Sequence, residues 1–229
     1  MKYLKPFNES KTDIHSICKK WGIENYTINP DGSIDVDDNV DLYSQRLTKL
    51  PLKFRNVSGD FNCSNNKLIS LEGCPQSVSA DFICFNNQLT SLEGGPQSVG
   101  GGFYCYNNQL ISLVGCPQSL SGSFNCKNNK LTSLKGCPQS VGGYFYCSDN
   151  KLTSLEGFPE YSESDIIYLN GNPIFEIYNL FGTFKCIKWL NEFDVIQGNK
   201  VILDRLEEVF HQLNMTMPEN ITFKSYEII

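Results

Sequence analysis

Ten cysteines stand in a chain of 229 residues. Such a density implies disulfides in a small secreted domain, or zinc where histidine joins it. The spacing argues against both. Cys63, Cys84, Cys105, Cys126 and Cys147 recur every 21 residues, each two places after a phenylalanine. Cys74, Cys116 and Cys137 share a second slot that Gly95 and Phe158 fill in other copies. A position open to glycine or phenylalanine is neither half of an obligatory pair nor a metal ligand. There is no Cys-x-x-Cys, and His15 and His211 lie outside the array. Cysteine here reads as a small apolar core residue, kept reduced.

Other chemistry is equally thin. No nucleophile elbow, phosphate-binding glycine loop or metal-ligand spacing occurs. Gly100-Gly101-Gly102 and Gly142-Gly143 precede strand-like segments and read as tight corners. Asp35, Asp37, Asp38 and Asp41 form an acidic patch that reads as a solvated edge. The expectation is a protein that is not an enzyme and needs no cofactor and no metal.

What the cysteines mark is a repeat. Phe-x-Cys-x-x-Asn-x-Leu begins at Phe61, Phe82, Phe103, Phe124 and Phe145. Each copy runs through a second leucine (Leu71, Leu92, Leu113, Leu134, Leu155) into Gly-x-Pro-x-Ser or a variant of it. A period in this range means a solenoid. Two weaker copies flank the five: Val40-Asp-Leu42-Tyr-Ser-Gln45-Arg-Leu47 lies 21 residues ahead, and Ile167-Tyr-Leu169-Asn-Gly-Asn172-Pro-Ile174 follows after a one-residue insertion. That makes seven coils, here numbered one to seven, spanning about 30 Å at the spacing of parallel strands.

The segment from Ser58 to Leu68 resembles the leucine-rich-repeat signature, with Phe61 and Cys63 on the strand leucines, Asn66 on the asparagine and Leu68 on the last leucine. It departs at the first leucine, where Ser58 sits beside Val57; the same shift recurs at Val78, Val99, Leu120 and Val141 and predicts a corner of its own geometry. The resemblance implies an α/β solenoid with a parallel sheet on its concave face. Residues 1–37 then read as an N-terminal cap, with a helix starting at Ser10 and a hairpin turning at Asn29-Pro-Asp-Gly32. The solenoid covers 38–176. Residues 177–229 form a helical C-terminal cap, with a short helix through Ile174, Ile177, Tyr178 and Phe181 and a longer one from Val201 to Leu213. The last stretch adds a strand at Ile221-Thr-Phe223 or frays.

Between the frame positions the coils differ sharply, and side chains there should alternate outward along the strand. Ile83, Phe85, Tyr104, Tyr106, Tyr144 and Tyr146 would pave the sheet face, with Tyr168 extending it and Lys127 supplying one cation. In leucine-rich-repeat proteins this face binds ligands. Outward aromatics have no core to fill, and a contiguous exposed patch marks a partner. Of the two asparagine columns, the one at Asn66, Asn87, Asn108, Asn129, Asn150 and Asn172 should turn inward to backbone; the one at Asn65, Asn86, Asn107, Asn128 and Asp149 should point outward as a recognition edge.

A net charge of −6 disfavours nucleic acid, which needs a basic stripe. The chain carries no apolar run for a membrane span and no signal-peptide core, so a cytoplasmic protein is expected, monomeric or weakly associated through its caps. Residues 26 to 160 are also similar to small leucine-rich-repeat proteins of tailed phages. That similarity implies an intracellular protein that binds and blocks a host protein, such as an immune component. Capture of a nucleotide or other small ligand on the same face, or a structural self-assembly role, are the rival readings. Ubiquitin-ligase effectors with such repeats carry a large catalytic domain after them, for which the residues beyond coil seven are too few.

Overall fold

The computed structural model describes residues 11–159 and 167–229, with side chains from Ile14 onward; the helix start expected at Ser10 lies outside the described residues. Each of the five Phe-x-Cys segments, like the two flanking copies, opens with a two-residue strand. The seven strands stack in parallel, in chain order, from Val40–Asp41 through Phe61–Asn62, Phe82–Ile83, Phe103–Tyr104, Phe124–Asn125 and Phe145–Tyr146 to Ile167–Tyr168. Phe61 pairs with Phe82 and Phe82 with Phe103, so every frame residue lies beside its own equivalent. The one-residue insertion is absorbed before coil seven, where Phe145 pairs with Ile167. The result is a parallel β-solenoid.

The residues that depart from the leucine-rich-repeat pattern build a second sheet. Ile34–Val36, Phe54–Val57, Ser77–Val78 and Ser98–Val99 run in parallel, and Ser119–Leu120 pairs with Ser140–Val141. Val57, Val78, Val99 and Leu120 are buried in it, as are Ile34, Val36 and Phe54 at its N-terminal end. Among the described residues, coils one to six therefore carry a front strand and a rear strand and no helix, and the helices sit in the two flanks. α1 (Lys11–Trp21) precedes the array, while α2 (Phe175–Phe181), α3 (Lys185–Glu192) and α4 (Leu203–Gln212) follow it.

Between the sheets the frame residues form columns. The five phenylalanines are fully buried and follow one another at ring distances of 5.0 to 6.1 Å, and Phe54 of the rear sheet meets Phe61 edge-on at 5.0 Å. Each contributes about 2–3 kcal/mol of burial. All ten cysteines are buried free thiols. Burial pushes the thiols of Cys84, Cys105, Cys126 and Cys147 well up, and that of Cys137 to about 12.

Both asparagine columns are structural. Asn87 Nδ2 donates to the carbonyls of Cys63 (3.0 Å) and Cys84 (3.1 Å), while its Oδ1 accepts the Leu68 N–H (2.9 Å). One side chain thus ties two coils together, as a buried corner requires. The second column lies at the turn, half-buried to exposed, and carries a ladder of its own. Asn65, Asn86, Asn107 and Asn128 take φ of 53 to 55° (52° at Asn86), which asparagine tolerates. Their amides then bond in series: Asn86 donates to Asn65 and Asn107 to Asn86, both at 2.7 Å, and Asn128 to Asn107 at 2.8 Å.

The flanks close the two ends. Ile14 and Cys18 of α1 pack on the core, and the hairpin Tyr26–Ile28/Ile34–Val36 turns at Gly32 (φ 80°). Its second strand pairs in parallel with Phe54–Val57, so the hairpin is also the start of the rear sheet. At the C-terminal end three expectations change. α4 starts at Leu203 rather than Val201, because the β-branched Val201 joins a hairpin, Ile196–Gln197 with Lys200–Val201, around Gly198 (φ 64°). α3 was not expected. The final strand is Glu227–Ile228, parallel to Lys200–Val201, and not Ile221-Thr-Phe223.

Candidate functional site

Three columns of side chains run along the front sheet beside the buried frame. The column before the phenylalanine holds Asn39, Asp60, Asp81, Gly102, Ser123 and Tyr144. The next, between phenylalanine and cysteine, holds Asp41, Asn62, Ile83, Tyr104, Asn125, Tyr146 and Tyr168. The third follows the cysteine with Tyr43, Ser64, Phe85, Tyr106, Lys127 and Ser148.

The aromatic residues form two groups rather than one continuous surface. Phe85 and Tyr106 stack on coils three and four, with ring centres 4.4 Å apart and planes 9° from parallel. Tyr146 and Tyr168 stack on coils six and seven at 4.6 Å and 7°, with Tyr144 set against both at 5.8 and 6.5 Å. Coil five separates the groups with Ser123, Asn125 and Lys127. Tyr104 folds back over Gly102 of its own coil, where a Cβ would stand 2.7 Å from its phenol oxygen. A tyrosine can lie down there because its neighbour has no side chain. Ile83 and Phe85 are half-buried; Tyr144 and Tyr168 remain 45 % and 41 % exposed.

Two further observations sharpen the face. Ser64 and Ser148 of the third column are buried, and Ser64 Oγ donates to Asn62 Oδ1 on its own strand at 2.6 Å. Tyr43 on coil one is 48 % exposed and belongs to the column of Phe85 and Tyr106. Aligning coil one's Val40-Asp-Leu42-Tyr43 on Phe-x-Cys-x gives that placement directly, so the signal for Tyr43 was available in the weak flanking copy.

The polar side chains of the face are largely committed to backbone. Asn39 Oδ1 accepts the Asp60 N–H (2.7 Å), Asp60 Oδ1 the Asp81 N–H (2.9 Å) and Asp81 Oδ1 the Gly102 N–H (2.6 Å). Lys127 is not a free cation, because its Nζ lies 3.5 Å from Asp149. Partial burial, then the Asp81 carboxylate, the Tyr146 phenol and the Asp60 carboxylate, raises the Tyr104 phenol above its usual value. Burial followed by Tyr168 and Tyr144 does the same for Tyr146. These phenols stay protonated at neutral pH and present hydrogen-bonding tips on apolar rings.

Elsewhere, Asp35 of the acidic patch pairs with Arg55, and Asp31 with Lys53 at 3.0 Å. Among the described residues no three His, Cys, Asp or Glu side chains are grouped to hold a metal ion, and no helix is long and apolar enough to cross a membrane. Comparison with family models, curated proteins and solved structures returns no match.

Proposed function

We propose that the chain is a non-enzymatic interaction module that docks a protein partner on its front sheet. The observation that carries this reading is the contrast within one sheet. Frame residues repeat with little change and are buried, whereas the three columns beside them vary from coil to coil and hold paired, partly exposed tyrosines. Rings stacked on one another keep their outer faces and edges open, and tyrosine combines contact area with a hydrogen-bonding tip at small entropic cost. The resemblance to phage leucine-rich-repeat proteins supports a host protein as the partner, with its inhibition as the consequence, in the cytoplasm of the host cell. An immune component is the class that fits that setting.

The test is affinity capture from host lysate with wild-type protein and with Tyr104, Tyr106 and Tyr146 replaced by alanine. The reading expects a partner retained by the wild type and lost from the triple variant. Equal recovery by a triple variant whose melting curve is unchanged would refute it.

A further inference from the structure

Three carboxylates on the front sheet are not needed by the fold. Asp60 and Asp81 each hold a backbone N–H of the next coil, but Asn39 does the same work with an amide, and Ser123 Oγ holds the Tyr144 N–H at 3.0 Å with a hydroxyl. In the adjacent column Asp41 Oδ1 accepts the Tyr43 N–H at 2.9 Å, just as Asn62 and Asn125 accept those of Ser64 and Lys127 at 3.1 Å. At Asn39, Ser123, Asn62 and Asn125 an uncharged oxygen serves, and at Gly102 and Ile83 the coils stack with no such side-chain acceptor. The negative charge is surplus to the ladder, and it has a cost. Asp60 and Asp81 occupy the same slot on neighbouring coils, about 5 Å apart, where like charges repel.

Among the described residues no lysine or arginine makes an ion pair with Asp41, Asp60 or Asp81, and the cation of the face, Lys127, is turned to Asp149. The carboxylates without an ion pair are therefore gathered on coils one to three, where they share the sheet with Tyr43 and Phe85. Tyr104 and Tyr106 follow on coil four, and Tyr144, Tyr146 and Tyr168 on coils six and seven. Tyr104 marks the border, lying over Gly102 one coil beyond Asp81 in the same column.

We propose that this face docks an arginine-bearing extended segment of a protein partner, its guanidinium groups set among Asp41, Asp60 and Asp81 and against the ring of Tyr104. Arginine fits better than lysine. Its planar head pairs two-pronged with carboxylate and stacks on an aromatic face, both of which this border offers. The inference rests on the docking reading and adds the partner's chemistry. Seven coils at strand spacing accommodate about nine extended residues.

The experiment uses fluorescent nonapeptides of alternating arginine and glycine, with citrulline replacing arginine in a second peptide, titrated with the full chain in fluorescence anisotropy. Two variants carry the same change of net charge: Asp41→Asn/Asp60→Asn/Asp81→Asn, which keeps every acceptor oxygen, and Glu72→Gln/Glu93→Gln/Glu207→Gln, away from the face. The proposal expects the arginine peptide to bind the wild type and the glutamine variant alike. Binding should weaken about tenfold or more with the asparagine variant, as it should with citrulline or added salt. Equal weakening by both variants would reduce the effect to net charge and overturn the proposal. So would citrulline binding as well as arginine, or no binding of the arginine peptide. Should the asparagine variant not fold, the citrulline comparison decides alone. Loss of peptide binding with partner capture still dependent on Tyr104, Tyr106 and Tyr146 would reject the arginine chemistry and leave the docking reading standing.

Discussion

Asn108 holds three backbone groups with one amide. Its Nδ2 donates to the carbonyls of Cys84 and Cys105, each at 3.1 Å, and its Oδ1 accepts the Leu89 N–H at 3.0 Å, all within the buried corner. Replacing it by alanine strands those groups away from water, so Asn108→Ala should cost about 3 kcal/mol in urea unfolding. A loss under about 1 kcal/mol would mean that the ladder is ornamental. This inward column was legible in the sequence, because a polar residue fixed at one slot in a buried turn has few other uses. The ladder of the outer column was not, since nothing in the letters shows that these asparagines take positive φ and bond one another in series. The same limit applies to Lys127. Its pairing with Asp149 crosses from one coil to the next and depends on rotamers that spacing does not fix.

The rear strand is the element where the sequence pattern was least explicit. Val78, Val99, Leu120 and Val141 each sit in a run with a single inward apolar residue, too short to show the alternation that identifies a strand. Coil-to-coil pairing supplies what periodicity lacks. The corners that follow leave little room: a Cβ on Gly100 would lie 2.1 Å from the Ser79 carbonyl oxygen. Gly100→Ala should therefore lower stability by about 2 kcal/mol, read from thermal or chemical melts. Between the sheets, the cysteine column makes a pH prediction. Burial raises these thiols above their ordinary value of 9.0, so folded protein holds protons that unfolded chains release. Stability is fully present below pH 9 and declines as pH climbs toward the folded values, about 12 for Cys137 and Cys186. Each such thiol removes about 1.4 kcal/mol per pH unit in that window. A melting temperature flat from pH 9 to 11 would contradict this.

At the scale of the molecule, each coil stabilises only its neighbours, so the ends decide whether the array holds. Tyr226 reaches back 73 residues to donate its hydroxyl to the Thr153 carbonyl at 2.9 Å, and Glu176 accepts hydrogen bonds from Ser225 and the Lys224 N–H. Removing that buried ring in Tyr226→Ala should cost about 3 kcal/mol, whereas Tyr226→Phe should cost about 1 kcal/mol. Equal melts for the two variants would show that the tail does not brace the array. Such contacts join segments far apart in sequence, which is why the terminal strand and α3 escaped a reading built on local period. The solenoid itself was legible because its long-range pairs fall at a constant offset.

The account assigns binding to the positions that vary between coils and structure to those that do not. Its most direct measurement is partner affinity, by interferometry on the captured protein, for two triple variants. Tyr104→Ala/Tyr106→Ala/Tyr146→Ala alters the front sheet, and Gln76→Ala/Gln97→Ala/Gln118→Ala alters exposed positions beside the rear strands. The account predicts at least about a hundredfold loss for the front variant, the size expected when central aromatic anchors are removed, and less than about twofold for the rear one. A hundredfold loss from the rear variant with the front variant binding normally would contradict it.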